Sequence, residues 1–296
     1  MSKFFNETQK ANQLAQKQMG TQDLNIKELM ENLKHGTPQQ RNVVADVRLQ
    51  ECSKVQIGNN GHSERLVLGQ HGWAQNALEA YRGLRTKLMR MQNESGLRSI
   101  AVTSSLPSEG KTLTAMNLAL CYSQLPDQRV LVIDADLRTK GLTELLGQKD
   151  KPGLAEVLAG QITPDAAVLG TNQSSLFVLP AGSINKPPAE HFTGTRWAEI
   201  IGWCSETFKV IIVDTPPVRP MADFDLISAA CDGIIMVVRA NHTERELLQK
   251  TTGALDAKKI LGVVLNAAEV AGKEYRSYAR TYGAGNGKGN GKSAAA

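Results

Sequence analysis

Three short stretches carry side chains whose types and order suit chemistry on phosphate. "SSLPSEGKT" (104–112) ends in Gly110-Lys111-Thr112. Backbone N–H groups of such a loop can face phosphate oxygens, Lys111 can reach them as a compact cation, and Thr112 can offer its hydroxyl to Mg²⁺. The loop is unusual: Ser105 stands five residues before Gly110, where a glycine is customary, and Pro107 lies inside it. "VLVIDADLR" (130–138) sets Asp134 and Asp136 two residues apart at the end of an apolar run. Residues two apart on an extended chain point the same way, so one carboxylate could help hold Mg²⁺ while the other accepts a proton. "KVIIVDTPP" (209–217) runs four apolar residues into Asp214, a Walker B pattern whose carboxylate commonly serves Mg²⁺. Each stretch has a plainer reading, namely a helix start, a helix cap and an ordinary strand end. Their order and their shared place at strand ends favour the phosphate reading.

The elements that would position these residues alternate. Apolar, β-branched runs fall at 99–104, 129–136, 175–182, 208–217, 232–240 and 259–268. Helical stretches fall between them at 110–124, 140–147, 153–159, 189–206, 223–230 and 242–256, with one more from Trp73 to about Met91. Strands apolar on both faces belong inside a covered parallel sheet, so the pattern predicts a doubly wound, mostly parallel α/β domain. Ligands in such sheets bind beyond the C-terminal strand ends, where all three motifs lie.

Outside the domain the sequence changes character. Residues 1–72 are polar and rich in Gln and Asn, with one amphipathic helix predicted over 23–36 and a break at Gly58–His62. They are expected to form a largely unstructured arm. The domain is expected to span 73–272. Residues 273–296 are expected to be a flexible tail, because "GAGNGKGNGKSAAA" is rich in Gly, Asn and Lys. Three of the five tyrosines, Tyr275, Tyr278 and Tyr282, fall within eight residues at the start of this tail, among polar neighbours that would bury them poorly.

Composition narrows the class. A 296-residue chain with 41% hydrophobic residues can bury a substantial core. The net charge of +5 comes without a basic stripe interleaved with aromatics, which argues against nucleic-acid binding. Four scattered cysteines form no CxxC pair, which argues against a zinc or iron–sulfur site and suits a reducing cytoplasm. No apolar run approaches the ~20 residues of a membrane span, and "MSKFFNETQK" lacks a signal-peptide apolar region. Any membrane role is expected to go through a partner.

In this order, "SSLPSEGKT", "VLVIDADLR" and "VIIVDTPP" resemble the bacterial protein-tyrosine kinases of capsular and exopolysaccharide biosynthesis, associated with a chain-length determinant. These are P-loop NTPases of the deviant-Walker type. The resemblance continues through "PGLAEVLAG", "LPAGSINKPPAE" and "GVVLNAAE" and covers roughly 77–282. It implies ATP and Mg²⁺ as ligands. Catalytic roles would fall to Lys111, Asp134, Asp136 and Asp214, with Asp136, or failing that Asp134, taking the tyrosine proton. Mg²⁺ would be served by Thr112, Asp134 and Asp214. Nucleotide contacts would fall to Ser105, Pro107, Ser108, Glu109, Gly110, Lys111, Thr112 and Leu113, with Asn266 near the adenine. Glu79, Arg82 and Arg85, spaced to share one side of a helix, resemble the family's ExxRxxR motif, which joins subunits into a ring. Tyr275, Tyr278 and Tyr282 would be phosphorylated between subunits, regulating polysaccharide chain length and export. The resemblance further implies a separate membrane-spanning polysaccharide co-polymerase as activator, a phosphotyrosine phosphatase, and recruitment of a cytoplasmic protein to the inner face of the membrane. Thr139-Lys140-Gly141 departs from the family, which often has proline there. The competing expectations are a partition- or septum-type positioning ATPase and a nucleotide-dependent scaffold. The former usually carries an early loop lysine, and Thr103, Ser104 and Ser105 hold that region here.

Overall fold

The computed structural model describes residues 49, 52–57, 66, 72–218 and 223–268, with backbone only for 72–76. The helix expected over 23–36, the break at 58–62 and the tail with Tyr275, Tyr278 and Tyr282 lie outside these residues. Eight strands form one sheet in the order β1-β4-β5-β3-β6-β2-β7-β8. They are β1 (Lys54–Val55), β2 (Ser99–Ser104), β3 (Val130–Asp134), β4 (Leu169–Thr171), β5 (Leu176–Leu179), β6 (Val210–Asp214), β7 (Gly233–Arg239) and β8 (Ile260–Asn266). Every neighbouring pair is parallel except β4–β5. The mostly parallel α/β architecture expected from the sequence is therefore present.

The helices alternate with the strands as α1 (Gly72–Ser95), α2 (Lys111–Ser123), α3 (Gly141–Leu145), α4 (Leu154–Leu158), α5 (Pro164–Ala167), α6 (Pro188–His191), α7 (Arg196–Thr207), α8 (Asp223–Ala229) and α9 (Arg245–Gly253). The helix expected over 189–206 is thus two, because Gly194 at φ 83° separates α6 from α7. Two strands escaped the sequence reading. One is β4, three residues long. The other is β1, which pairs with β4 from within the stretch expected to be an unstructured arm. Leu49, Val55 and Leu66 of that stretch are buried, so part of the arm packs on the domain.

The strand period of two sorts the core into two layers. Ile100, Val102, Val130, Val132, Val210 and Ile212 join one layer with Ala115, Met116 and Leu118 of α2. Ala101, Leu131, Ile133, Ile211 and Val213 join the other with Leu154, Trp197 and Phe224. Each fully buried leucine or isoleucine side chain contributes about 1.5–3 kcal/mol. The same alternation continues to the strand ends: Asp134 and Asp214 follow Val132 and Ile212 onto the face covered by α2. The sheet thereby aims two carboxylates at the helix whose first residue is Lys111.

Candidate active site

The loop from Ser104 to Gly110 joins β2 to α2, and its shape is fixed from within. Glu109 is fully buried, and its Oε2 accepts a 2.8 Å hydrogen bond from the Leu106 N–H. The other oxygen, Oε1, accepts from the Thr243 hydroxyl before α9. The Ser104 hydroxyl donates to the Leu106 carbonyl at 2.7 Å. Gly110 has φ 95°, in the left-handed region, and a Cβ there would run into the Asn266 amide. That amide donates to the Glu109 carbonyl at 2.8 Å. A side chain at 110 would thus be strained and would also break the contact between loop and β8.

A cleft of about 500 Å³ opens above this loop, lined by Ser108, Gly110, Lys111, Thr112, Leu113, Arg239, Asn266 and Ala267. Of the nucleotide residues expected from sequence, six line it. Ser105, Pro107 and Glu109 do not: Ser105 is buried, Pro107 faces outward, and Glu109 holds the loop together. Arg239 was missed. It ends β7 and its guanidinium donates to the Ser108 carbonyl at 3.3 Å. An arginine closing the apolar run "DGIIMVVRA" marks the same sheet edge and was a usable signal.

Behind the cleft, three carboxylates surround one ammonium. Lys111 Nζ donates to Asp136 Oδ2 at 2.9 Å, with side chains 10% and 1% exposed. Asp134 and Asp214 are in register on the adjacent strands β3 and β6. Neighbouring strands run about 4.8 Å apart, so these carboxyls stand side by side. Both are fully buried. Asp134 Oδ2 accepts from the Thr143 N–H at 2.8 Å and the Thr143 hydroxyl at 2.7 Å. Asp134 Oδ1 and both oxygens of Asp214 have no hydrogen-bond partner.

The protonation equilibria follow this geometry. Burial, then the neighbouring Asp214, pushes Asp134 up to about 7. Burial pushes Asp214 up to about 6, against the pull of Lys111 and of the Thr112 hydroxyl, which lies beside the carboxyl without completing a hydrogen bond. Asp136 is also buried, but Lys111 outweighs the burial and holds it below its ordinary value. For Lys111 burial acts downward, and Asp214 and Asp136 overcome it and raise the ammonium. With all groups ionised, three buried negative charges face one positive charge at the edge of the cleft. Buried oxygens with no donors and surplus negative charge are suited to a hard divalent cation.

The remaining expected residues lie apart from the cleft. On α1, Arg82 bridges Glu79 at 2.6 Å, both side chains exposed. Arg85 instead turns inward and donates to the Cys121 carbonyl at 2.6 Å, tying α1 to α2. Among the described residues the four cysteines are free, and no helix is long and apolar enough to cross a membrane.

No family model matches the chain. It is 32% identical over 195 residues to the tyrosine-protein kinase YwqD of Bacillus subtilis, covering 65% of this chain and 82% of that protein. It is 31% identical over 205 residues to the tyrosine-protein kinase wzc of Salmonella typhimurium, where the match spans 68% of this chain and 28% of the longer relative. The crystal structure of the chimerical protein CapA2B2 superposes with a TM-score of 0.62 at 27% identity, covering 76% of this chain and 97% of that one.

Proposed function

Because the chain belongs to the bacterial tyrosine-protein kinases and carries their P-loop nucleotide-binding fold, we propose that it transfers the γ-phosphoryl group of ATP to tyrosines of its own C-terminal segment, Tyr275, Tyr278 and Tyr282, between subunits. The observation that supports this reading best is the gathering of Asp134, Asp136 and Asp214 at Lys111, on the strand ends that face the loop. A cleft that only binds nucleotide needs Lys111 and the loop amides. A buried carboxylate paired to that lysine adds an acceptor for a hydroxyl proton.

In this reading the phosphates lie along the loop and the N-terminus of α2, with Lys111 on their oxygens and Arg239 and Asn266 towards the base. Asp214, Asp134 Oδ1 and Thr112 would hold Mg²⁺, and their unpartnered oxygens fit that group. Mg²⁺ supplies neutralisation of phosphate charge when bound. The tyrosine oxygen forms a bond to the γ-phosphorus, the bond to the bridging β-oxygen breaks, ADP leaves, and the phenolic proton passes to Asp136. Glu79 and Arg82, exposed on α1, are available to a neighbouring subunit, and the ring, the membrane-spanning activator, the phosphatase and the control of polysaccharide chain length follow the family resemblance. Arg85 would reach a neighbour only by giving up the Cys121 carbonyl. A partition- or septum-type ATPase is disfavoured because 103–105, where its lysine would stand, hold buried hydroxyls.

Incubation with Mg²⁺·ATP, anti-phosphotyrosine detection and mass-spectrometric mapping test the proposal. Phosphate is expected on Tyr275, Tyr278 or Tyr282, and changing all three to Phe is expected to remove most of the signal. An unphosphorylated tail after prolonged incubation would sink it.

A further inference from the structure

Thr143 lies nine residues beyond Asp134, outside the three phosphate motifs, and is 1% exposed in the first turn of α3. Its hydroxyl has one proton to give and lone pairs to receive. The proton goes to Asp134 Oδ2 at 2.7 Å, and the Ala181 N–H, just beyond β5, donates to the hydroxyl oxygen at 2.8 Å. With the Ala181 donor on its acceptor side, the hydroxyl proton is directed at the carboxylate. The Thr143 N–H adds a second donor to the same oxygen at 2.8 Å. Oδ2 is thus doubly bonded, and Oδ1 is the oxygen left without a partner. One residue therefore decides which Asp134 oxygen is available to a ligand.

The same turn of α3 touches the nucleotide loop. A Cβ on Gly141 would come to 3.0 Å from the Thr112 hydroxyl oxygen, so α3 lies close against Thr112 and a side chain at 141 would make Thr112 shift by a few tenths of an ångström. On the far side, Lys140 Nζ donates to the Gly182 carbonyl at 2.8 Å, and Glu156 accepts from the Ser183 N–H at 2.9 Å and the Gly153 N–H at 2.8 Å. The segment after β5 is thereby pinned to α3 and α4. Through Ala181 it fixes the Thr143 hydroxyl, and through Thr143 the Asp134 carboxylate.

We infer that Thr143 is a positioning residue that turns Asp134 Oδ1 towards a divalent cation and couples that orientation to the segment following β5. The inference rests on the reading of Asp134 as a cation-holding carboxylate. Partners that orient a ligating group typically change metal affinity 10–100-fold when removed.

The test uses the full chain with ADP, so that no turnover is needed. Mn²⁺ binding is followed by electron paramagnetic resonance, and ADP binding in EDTA by a fluorescent analogue. Thr143→Val, which keeps the shape and removes the hydroxyl, is expected to weaken Mn²⁺ binding about 10–100-fold, with cation-free ADP binding unchanged within about twofold. Thr143→Ser is expected to restore it, and Thr143→Val is expected to add nothing in an Asp134→Asn background. Unchanged Mn²⁺ affinity in Thr143→Val would overturn the inference. Equal losses of Mn²⁺ and cation-free ADP binding would do so as well, since they mark a structural role. If Thr143→Val does not fold, Thr143→Ser and Thr143→Ala carry the comparison, and equal Mn²⁺ affinity in the two is the refuting result. If the wild type with ADP binds no Mn²⁺, the cation reading itself fails and the inference with it, whereas wild-type binding that Thr143→Val leaves intact refutes the inference alone.

Discussion

Replacing Asp214 by asparagine should make the protein more stable while destroying its activity. Asp214 is fully buried, neither of its oxygens has a hydrogen-bond partner, and burial lifts its carboxyl from 3.8 to about 6. At ~1.4 kcal/mol per pH unit, that difference makes the ionised carboxylate cost about 3 kcal/mol at pH 8. Asparagine carries no charge, and its amide has Asp134 Oδ1 as an available acceptor on the neighbouring strand. Imperfect pairing of the amide returns about 1 kcal/mol, leaving a net gain of about 2 kcal/mol. For a domain of this size that raises Tm by roughly 4–8 °C. The sign depends on pH. The folded carboxyl binds its proton more tightly than the unfolded one, so wild-type stability falls as pH rises from about 4 through 6. The advantage of Asp214→Asn should be full at pH 8 and gone near pH 4. Thermal unfolding in EDTA at both pH values measures this. With ADP already present, adding Mg²⁺ should raise the wild-type Tm further and leave the variant unmoved. A variant that melts below wild type in EDTA at pH 8 would refute the reasoning, as would an advantage that survives at pH 4.

Two further substitutions separate charge from shape. Lys111→Met removes the only described partner cation of Asp136, and breaking a buried pair costs about 3–5 kcal/mol. Its Tm should drop at neutral pH, and the deficit should shrink only as pH falls below the ordinary carboxylate value of ~4, towards the lower pH at which the lysine-paired Asp136 takes its proton; phosphotyrosine should vanish at every pH. Gly110→Ala must hold alanine at φ 95° against Asn266. A backbone strain of about 1–3 kcal/mol should appear in thermal unfolding, and titration with a fluorescent ATP analogue should show at least a tenfold loss of affinity.

The six main strands and most helices were legible because a doubly wound sheet writes itself plainly. Buried strands are apolar on both faces, so "RVLVIDAD" and "KVIIVDTPP" stand out from their helical neighbours. β4 was not legible, since three residues ending in "GT" carry no period. Nor was β1, whose two residues owe their place to β4, a partner 116 positions away at Lys54–Gly170. The carboxylates were found by their position after apolar runs, but their arrangement was not. The pairing of Asp134 with Asp214 follows from β6 lying beside β3, which strand order in sequence does not reveal. Thr143 was invisible for the same reason: its role exists only where the end of β5 meets α3. Glu109 was placed among nucleotide contacts because it sits in the loop, yet its side chain points into the protein and braces the loop through Leu106 and Thr243.

The environment of Asp136 also limits what it can do in the proposed reaction. Held low by Lys111, its carboxylate is a weak base beside a phenol whose ordinary pKa is ~10. It would be a poor group for removing the tyrosine proton before attack. In a loose phosphoryl-transfer transition state early deprotonation is not required, because the oxygen acquires its bond to phosphorus late and its proton becomes acidic only then. A carboxylate kept ionised by a lysine is suited to that role: it is always free to accept, and its hydrogen bond fixes the hydroxyl in line with the γ-phosphorus. The ammonium has three N–H donors, of which one goes to Asp136, so two remain for phosphate oxygens. Lys111 can therefore bridge the phosphates and the acceptor carboxylate at once. On this argument the ion pair is retained during turnover, and catalysis at Asp136 is a matter of position more than of basicity.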